Sequence, residues 1–162
     1  MADMAQYLTL GIASEQLAVP VETVQEILEL QPVSRLPHAP PYLLGMIDVR
    51  GQGVPVFDLR LKLGFEQAQD TENTRVIVLN VPGDGQGKTF GLKTDRVFEV
   101  TVLDDDKLEA PPEIGARWRS EFIAGIGRRL GEFVTVLDLR QLFAAEEIAM
   151  EPSPIVSGGR AA

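Results

Sequence analysis

Several stretches of this chain carry residues capable of chemistry. GDGQGKT, from Gly83 to Thr89, has the glycines, lysine and threonine of a phosphate-binding loop. Such a loop needs a glycine five residues before the Gly-Lys-Thr triplet, and that position is Pro82. It also needs a helix to follow, because helix amides hold the phosphates; Thr89–Lys93 instead reads as a short strand, so the segment is expected to be a hairpin loop. Asp58 and Asp138 are a pair of acids that two similar lobes could bring together for carboxylate catalysis. Each stands before an apolar helical segment, LRLKLG and LRQLFAAEEIAM, where a carboxylate accepts backbone amides as an N-cap. His38 is the only histidine and there is no cysteine, so a transition-metal site or a nucleophilic triad has no materials, and no metal or cofactor is expected. Asp104, Asp105 and Asp106 do not have calcium-loop spacing and are expected to form a solvated turn. Trp118 is expected to pack beneath a loop.

One arginine stands apart. In IDVRGQGVPV, Arg50 lies between a strand end and a glycine turn. The surrounding run recurs without a gap 80 positions later: GMIDVRGQGVPVFDLRLKL (Gly45 to Leu63) matches GIGRRLGEFVTVLDLRQLF (Gly125 to Phe143). Gly45, Gly51, Val54, Val56, Asp58, Leu59 and Arg60 reappear as Gly125, Gly131, Val134, Val136, Asp138, Leu139 and Arg140, whereas Arg50 becomes Leu130. A residue that departs from a repeat whose scaffold is kept is a candidate for function. Upstream, Leu17 to Ile27 aligns more faintly with Phe90 to Val100, keeping Val24/Val97 and Glu26/Glu99 in register. Two similar half-domains, stacked or interlocked, follow from this self-similarity.

The elements that must position these residues are mostly strands. Short alternating apolar runs predict strands at Gln6–Ile12, Gln16–Val19, Leu44–Arg50, Val54–Phe57, Arg75–Val81, Thr89–Lys93, Phe98–Leu103, Phe122–Arg128 and Glu132–Leu137. Pro55 predicts an edge or a bulge. After Pro20, the spacing of Val21, Val24, Ile27 and Leu28 predicts a short amphipathic helix with Val24 and Ile27 on the core and Gln25, Glu26 and Glu29 outward. Short helices are also predicted after Asp58 and Asp138, the second longer. The architecture is all-β and barrel-type with a few short helices. Residues 151–162, EPSPIVSGGRAA, have little to bury and read as a disordered tail.

At 162 residues the chain suits one domain or two small ones, burying roughly 70% of its unfolded surface. Either half alone would have a thin core, so shared apolar surface is expected. A net charge of −9 argues against nucleic-acid or anionic-membrane binding. No apolar run approaches the roughly 20 residues of a membrane helix, and no signal peptide is seen, so a cytoplasmic location is expected.

The stretch GMIDVRGQGVPVFDLRLKLG, Gly45 to Gly64, resembles CheW-type chemotaxis coupling proteins. These carry a glycine, an Asn-Leu/Val-Arg-Gly turn, an apolar strand with proline, and Asp-Leu-Arg before a short helix. VQEIL (Val24 to Leu28), TRVIVLNV (Thr74 to Val81), SEFIAGIG (Ser120 to Gly127) and VLDLRQLF (Val136 to Phe143) extend the likeness over about residues 5–150. The resemblance implies a CheW-like domain over 1–150 made of two intertwined five-stranded SH3-like β-barrels, with halves near 13–80 and 81–150 and strand exchange between them. It implies a stand-alone, non-enzymatic scaffold. Such a protein bridges the cytoplasmic tips of methyl-accepting receptors to the regulatory domain of a CheA-type histidine kinase, whose own barrels are similar. The implied partner-binding residues are Arg50 with its neighbours Asp48, Val49, Gly51, Gly45 and Ile47, together with Glu26. Asp48 departs from the family's asparagine; a carboxylate only accepts hydrogen bonds and could engage Arg50. Two other readings stand beside this one: a coupler for pili or a second messenger, and a small-molecule-binding or hydrolytic barrel using the carboxylates and the glycine-rich loop.

Overall fold

The computed structural model describes residues 5–82, 87–105, 107–110 and 120–144. Among them the strands are β1 (Gln6–Ile12), β2 (Glu15–Pro20), β3 (Val24–Glu29), β4 (Leu43–Val49), β5 (Gln52–Asp58), β6 (Arg75–Val81), β7 (Lys88–Thr94), β8 (Arg96–Val102), β9 (Ile123–Arg129) and β10 (Glu132–Leu137). Two four-residue helices, α1 (Leu59–Lys62) and α2 (Leu139–Leu142), follow β5 and β10. The fold is all-β with short helices. Trp118, Asp106, most of the glycine-rich loop, the residues that would lengthen α2 and the tail lie outside the described residues.

One five-stranded sheet runs β8-β1-β2-β10-β9 and the other β3-β6-β7-β5-β4. Replacing each strand by its repeat counterpart, β1 by β6 through β5 by β10, converts one order into the other. The β1–β2 hairpin therefore does not pair with β3, β4 or β5. It pairs antiparallel with β8 on one side and parallel with β10 on the other. Reciprocally, the β6–β7 hairpin sits between β3 and β5. Each sheet closes toward a barrel where the segment leaving one edge strand returns to the other, through the Ser34–Met46 and Glu109–Ile126 bridges.

Burial follows the same arrangement. Ile47, Val49, Val54, Val56, Val76 and Val78 fill one barrel, and Ala18, Leu103, Val134 and Val136 the other. A larger cluster, with Leu8, Leu10, Phe57, Phe90, Leu137 and Phe143 among its members, lies between the barrels and draws on both copies of the repeat.

The structure corrects the helix expected after Pro20. Only Val21–Thr23 turn, as a single 3-10 turn with the Thr23 hydroxyl donating to Pro20 C=O, and residues 24–29 form strand β3 against β6. Val24 and Ile27 are β-branched and fit a pleated sheet better than a helix. The strand parity leaves Val24 inward and Gln25 and Glu29 outward as expected but exchanges the other two: Ile27 is 42% exposed, while Glu26 shares the less exposed side with Val24 and Leu28. Pro55 lies in a strand that is internal to its sheet, but at a point where its side toward β7 is not yet paired and next to a register shift between β4 and β5. It faces Met46, whose N–H and C=O both bond Ser34, and it precedes the parallel ladder to β7, which starts at Val56. Its missing N–H thus interrupts nothing.

The repeated small residues and acids do structural work. Asp58 accepts the amides of Arg60 and Leu61 at 2.9 and 3.4 Å, and Asp138 accepts that of Gln141 at 3.1 Å, so both are N-caps. Gly125 passes beneath the closing bridge, where a Cβ would lie 2.6 Å from the Leu108 Cβ. Gly51 and Gly131 have φ of +84° and +83° in open space. Gly131→Val should accordingly cost about 1–2 kcal/mol from conformation alone, Gly125→Val more because it adds a clash, and Asp138→Ala about 1 kcal/mol as a lost cap. Urea unfolding of the isolated protein measures all three; an unchanged midpoint for Gly131→Val would remove backbone strain from the account.

Candidate protein-interaction surface

The turn joining β4 to β5 is a two-residue hairpin loop. Arg50 and Gly51 both have positive φ, +55° and +84°, the signature of a type I′ turn. Arginine is a costly choice there, since a Cβ crowds the backbone in this region. The side chain of Asp48 holds the turn by accepting the Gly51 N–H at 2.7 Å. The expectation that Asp48 engages Arg50 is thus replaced by a different pairing. Arg50 Nε donates to Glu26 Oε2 at 3.2 Å, across the gap between the two edge strands of this barrel. The contact needed from residue 48 is an acceptor, which a carboxylate provides.

The arginine side chain remains 83% exposed, whereas that of Glu26 is 24% exposed. Of the other residues implied by resemblance, Asp48 and Gly51 reach solvent. Ile47 and Val49 are buried in the barrel, and a Cβ on Gly45 would collide with Ser34 O at 2.1 Å. These three hold the turn from beneath.

The second barrel repeats the backbone but not the chemistry. Leu130 and Gly131 have φ of +52° and +83°. Their amides donate to the carboxylate of Asp104, each at 2.9 Å. Asp104 is therefore a clasp rather than part of a merely solvated turn, and the two amide bonds hold its carboxyl below the ordinary carboxylate pKa. Leu130 is 78% exposed and Phe133 is 61% exposed with the Arg128 guanidinium 4.6 Å above its ring. Glu99, the counterpart of Glu26, pairs with Arg129 at 3.3 Å. Along β8, Phe98, Val100 and Val102 are exposed where β3 has Gln25, Ile27 and Glu29. One barrel thus presents mainly charged groups around its turn and the other mainly apolar ones.

Nothing in this arrangement builds a catalytic centre from the paired aspartates. Asp58 and Asp138 are occupied by helix amides, and an open groove of about 750 Å³, lined by Leu30, Pro32, Leu36, Pro41 and Lys93 among others, has neither in its wall. β7 continues from the glycine-rich loop as an antiparallel partner of β6, so no helix follows it to hold a phosphate. His38 is an exposed loop residue with φ of +59°. Among the described residues, no group of three or more His, Cys, Asp or Glu is placed to hold a metal, and no helix is long and apolar enough to cross a membrane.

An all-β pair of barrels that exchange hairpins, with a distinct exposed turn on each, defines a protein of the interaction-module class. The chain matches the CheW-like domain family over residues 6–147 and belongs to it. It is 32% identical over 146 residues to the chemotaxis protein CheW of Klebsiella aerogenes, covering 90% of this chain and 85% of that one. It is 28% identical over 155 residues to CheW of Rhizobium meliloti, covering 91% and 97%. Protein FrzA of Myxococcus xanthus is 25% identical over 139 residues, covering 85% and 84%. The crystal structure of scaffolding protein TtCheW from Thermoanaerobacter tengcongensis shares the fold with a TM-score of 0.77 at 24% identity, covering 88% of this chain and 90% of that one.

Helix α1, the β7–β8 turn and the β1–β2 turn are tied together through Arg60, which both repeat copies keep. Its Nε and Nη2 donate to Asp95 at 2.7–3.1 Å and its Nη1 to Glu66 C=O at 3.1 Å, while Asp95 also accepts the Ala13 amide of the β1–β2 turn at 2.8 Å. Burial alone would raise the Asp95 pKa; the Arg60 hydrogen bond, the Ala13 amide and the nearby positive charges outweigh it and hold the carboxyl below its ordinary value. A depressed carboxyl stabilises fully above its unfolded pKa, about 3.9, and the contribution is lost as pH falls through the folded value. Asp95→Asn should therefore lower the melting temperature at pH 7, with the gap from the native protein narrowing below about pH 4. A gap independent of pH would show that the charge of Asp95 is not what ties these segments.

Proposed function

We propose that this protein is a non-enzymatic cytoplasmic adaptor that couples the cytoplasmic tips of methyl-accepting chemoreceptors to the regulatory domain of a CheA-type histidine kinase. The observation that carries this reading is the divergence of two equivalent barrel surfaces on one backbone. Arg50 stands where the other barrel has Leu130, and the retained glutamate pairs with Arg50 in one barrel and with Arg129 in the other. Selection for a single partner gives no reason to keep the turn conformation in both copies while replacing its exposed residue; two partners with different surfaces do. Membership of the CheW-like family and the names of the CheW relatives support the identity of those partners. As a second reading, the likeness to a relative that is not named CheW, Protein FrzA, is compatible with a coupler in a variant chemosensory system.

Reconstitution with a receptor cytoplasmic fragment and a CheA-type kinase tests the proposal. Arg50→Ala should change stability by no more than about 0.5 kcal/mol, since its exposed ion pair contributes little. It should still weaken ternary assembly, by about tenfold if Arg50 is a contact worth roughly 1.4 kcal/mol. Loss of folding in Arg50→Ala would make the residue structural and end its role as a contact. Glu26→Lys should weaken receptor binding and alter its salt dependence, whereas Glu99→Lys should do neither. Equal effects from the two reversals would show that the barrels have not diverged toward different partners.

A further inference from the structure

Among the described residues the chain passes from one sheet to the other at two places. β2 and β3 are joined through Val21–Thr23, and β7 and β8 through the single residue Asp95. The residues flanking these crossings pair near the two ends of β1, Pro20 with Tyr7 and Arg96 with Gly11. Two narrow backbone crossings between two packed bodies have the form of a hinge. The shared core resists separation of the barrels, but apolar burial is non-directional and changes little when one surface turns slightly over the other. Fixing the angle takes directional contacts.

The two crossings are held differently. At the first, the Thr23 hydroxyl donates to Pro20 C=O within the turn, and Glu22, the repeat counterpart of Asp95, is exposed. At the second, contacts from both sheets converge. Thr94, buried at the end of β7, donates its hydroxyl to Gly11 C=O of β1 at 3.0 Å. The Asp95 carboxylate accepts the amide of Ala13, in the β1–β2 turn, at 2.8 Å. From the other barrel, α1 brings the Arg60 guanidinium onto the same carboxylate, with Nε 2.9 Å from Oδ1 and Nη2 2.7 Å from Oδ2. Two parallel bonds between planar groups fix direction as well as distance. The guanidinium is itself oriented by its Nη1 bond to Glu66 C=O. With side chains 19% and 24% exposed, this pair meets far less competing solvent than Arg50 does.

We propose that Asp95 is a positioning residue: its carboxylate, gripped by Arg60 of one barrel and by the Ala13 amide of the other, locks the backbone crossing between the barrels and so fixes the relative placement of the Arg50 and Leu130 turns. The lock acts whichever partners those turns meet.

The absence of cysteine allows a direct test. Cysteines placed at Gln52 and Glu132, exposed residues beside the two turns, carry spin labels, and double electron–electron resonance reads the distance between them. The otherwise native protein should give one narrow distribution. Asp95→Asn keeps an acceptor for Ala13 but loses the charge, and Arg60→Gln loses the guanidinium fork; each should fold and broaden the distribution at least about twofold. Asp138→Ala, which removes a helix cap within one barrel, should lower stability yet leave the distribution as narrow as in the native protein. That contrast separates a lock between barrels from a general loss of stability. Unchanged widths in folded Asp95→Asn and Arg60→Gln overturn the proposal, as does equal broadening in Asp138→Ala. If one of the two lock variants does not fold, the width of the other decides. Failure of both to fold overturns the proposal as well, because the pair would then be required by the fold itself.

Discussion

The structure depends on a single constraint: neither copy of the repeat can complete its own sheet. Each hairpin, β1–β2 or β6–β7, finds both of its neighbours in the other copy, so the apolar face it would otherwise expose is covered only by exchange. The cluster between the barrels contains Leu8, Leu10 and Phe57 from one copy and Phe90, Leu92 and Phe143 from the other. Halves of this size have too little core to stand alone, and pooling their apolar surface is the physical solution. A consequence follows for function. The two exposed turns belong to different sheets but to one core, so their separation is a property of the whole fold rather than of a linker.

Duplication separates what the backbone requires from what the surface is free to change. Gly51 and Gly131 keep the left-handed turn, Gly45 and Gly125 keep the space under the closing bridges, and Asp58 and Asp138 keep the caps. At several surface positions the copies diverge. Gln25 and Glu29 have become Phe98 and Val102, Arg50 has become Leu130, and Gly53 has become Phe133. Apolar side chains of that size at the surface are an interaction signal when they gather in one barrel and are missing from its equivalent.

How much of this could be read from the sequence depended on the range of the forces involved. Nine strands and both caps were legible because alternation and N-capping are local signals. Strand β3 was misread because Val21, Val24, Ile27 and Leu28 satisfy a helical period, and a few short apolar positions cannot separate the two periods. The repeat held the deciding clue: Glu26 aligns with Glu99, inside Phe98–Leu103, a segment already recognised as a strand. Other features had no local signal. Asp104 clasps amides 26 and 27 positions away, and Arg50 meets Glu26 rather than the nearer Asp48.

The two turns show why an exposed residue can be held in a costly conformation. A type I′ loop usually takes asparagine or glycine at its first central position, yet here that position holds arginine in one copy and leucine in the other. Each is strongly exposed, so packing does not hold it in place. The restraint comes from a carboxylate accepting turn amides: Asp48 from the adjoining strand in one barrel, and Asp104 from across the barrel edge in the other. Two different acids reach the same result, so it is the fixed turn that has been retained rather than a particular contact. A side chain projecting from such a turn has already lost much of its backbone freedom before any partner arrives, and less entropy remains to be lost on binding. Local strain held by a charged clasp thereby makes the single residue that differs between the copies, Arg50 or Leu130, the most rigidly presented group on each barrel's turn.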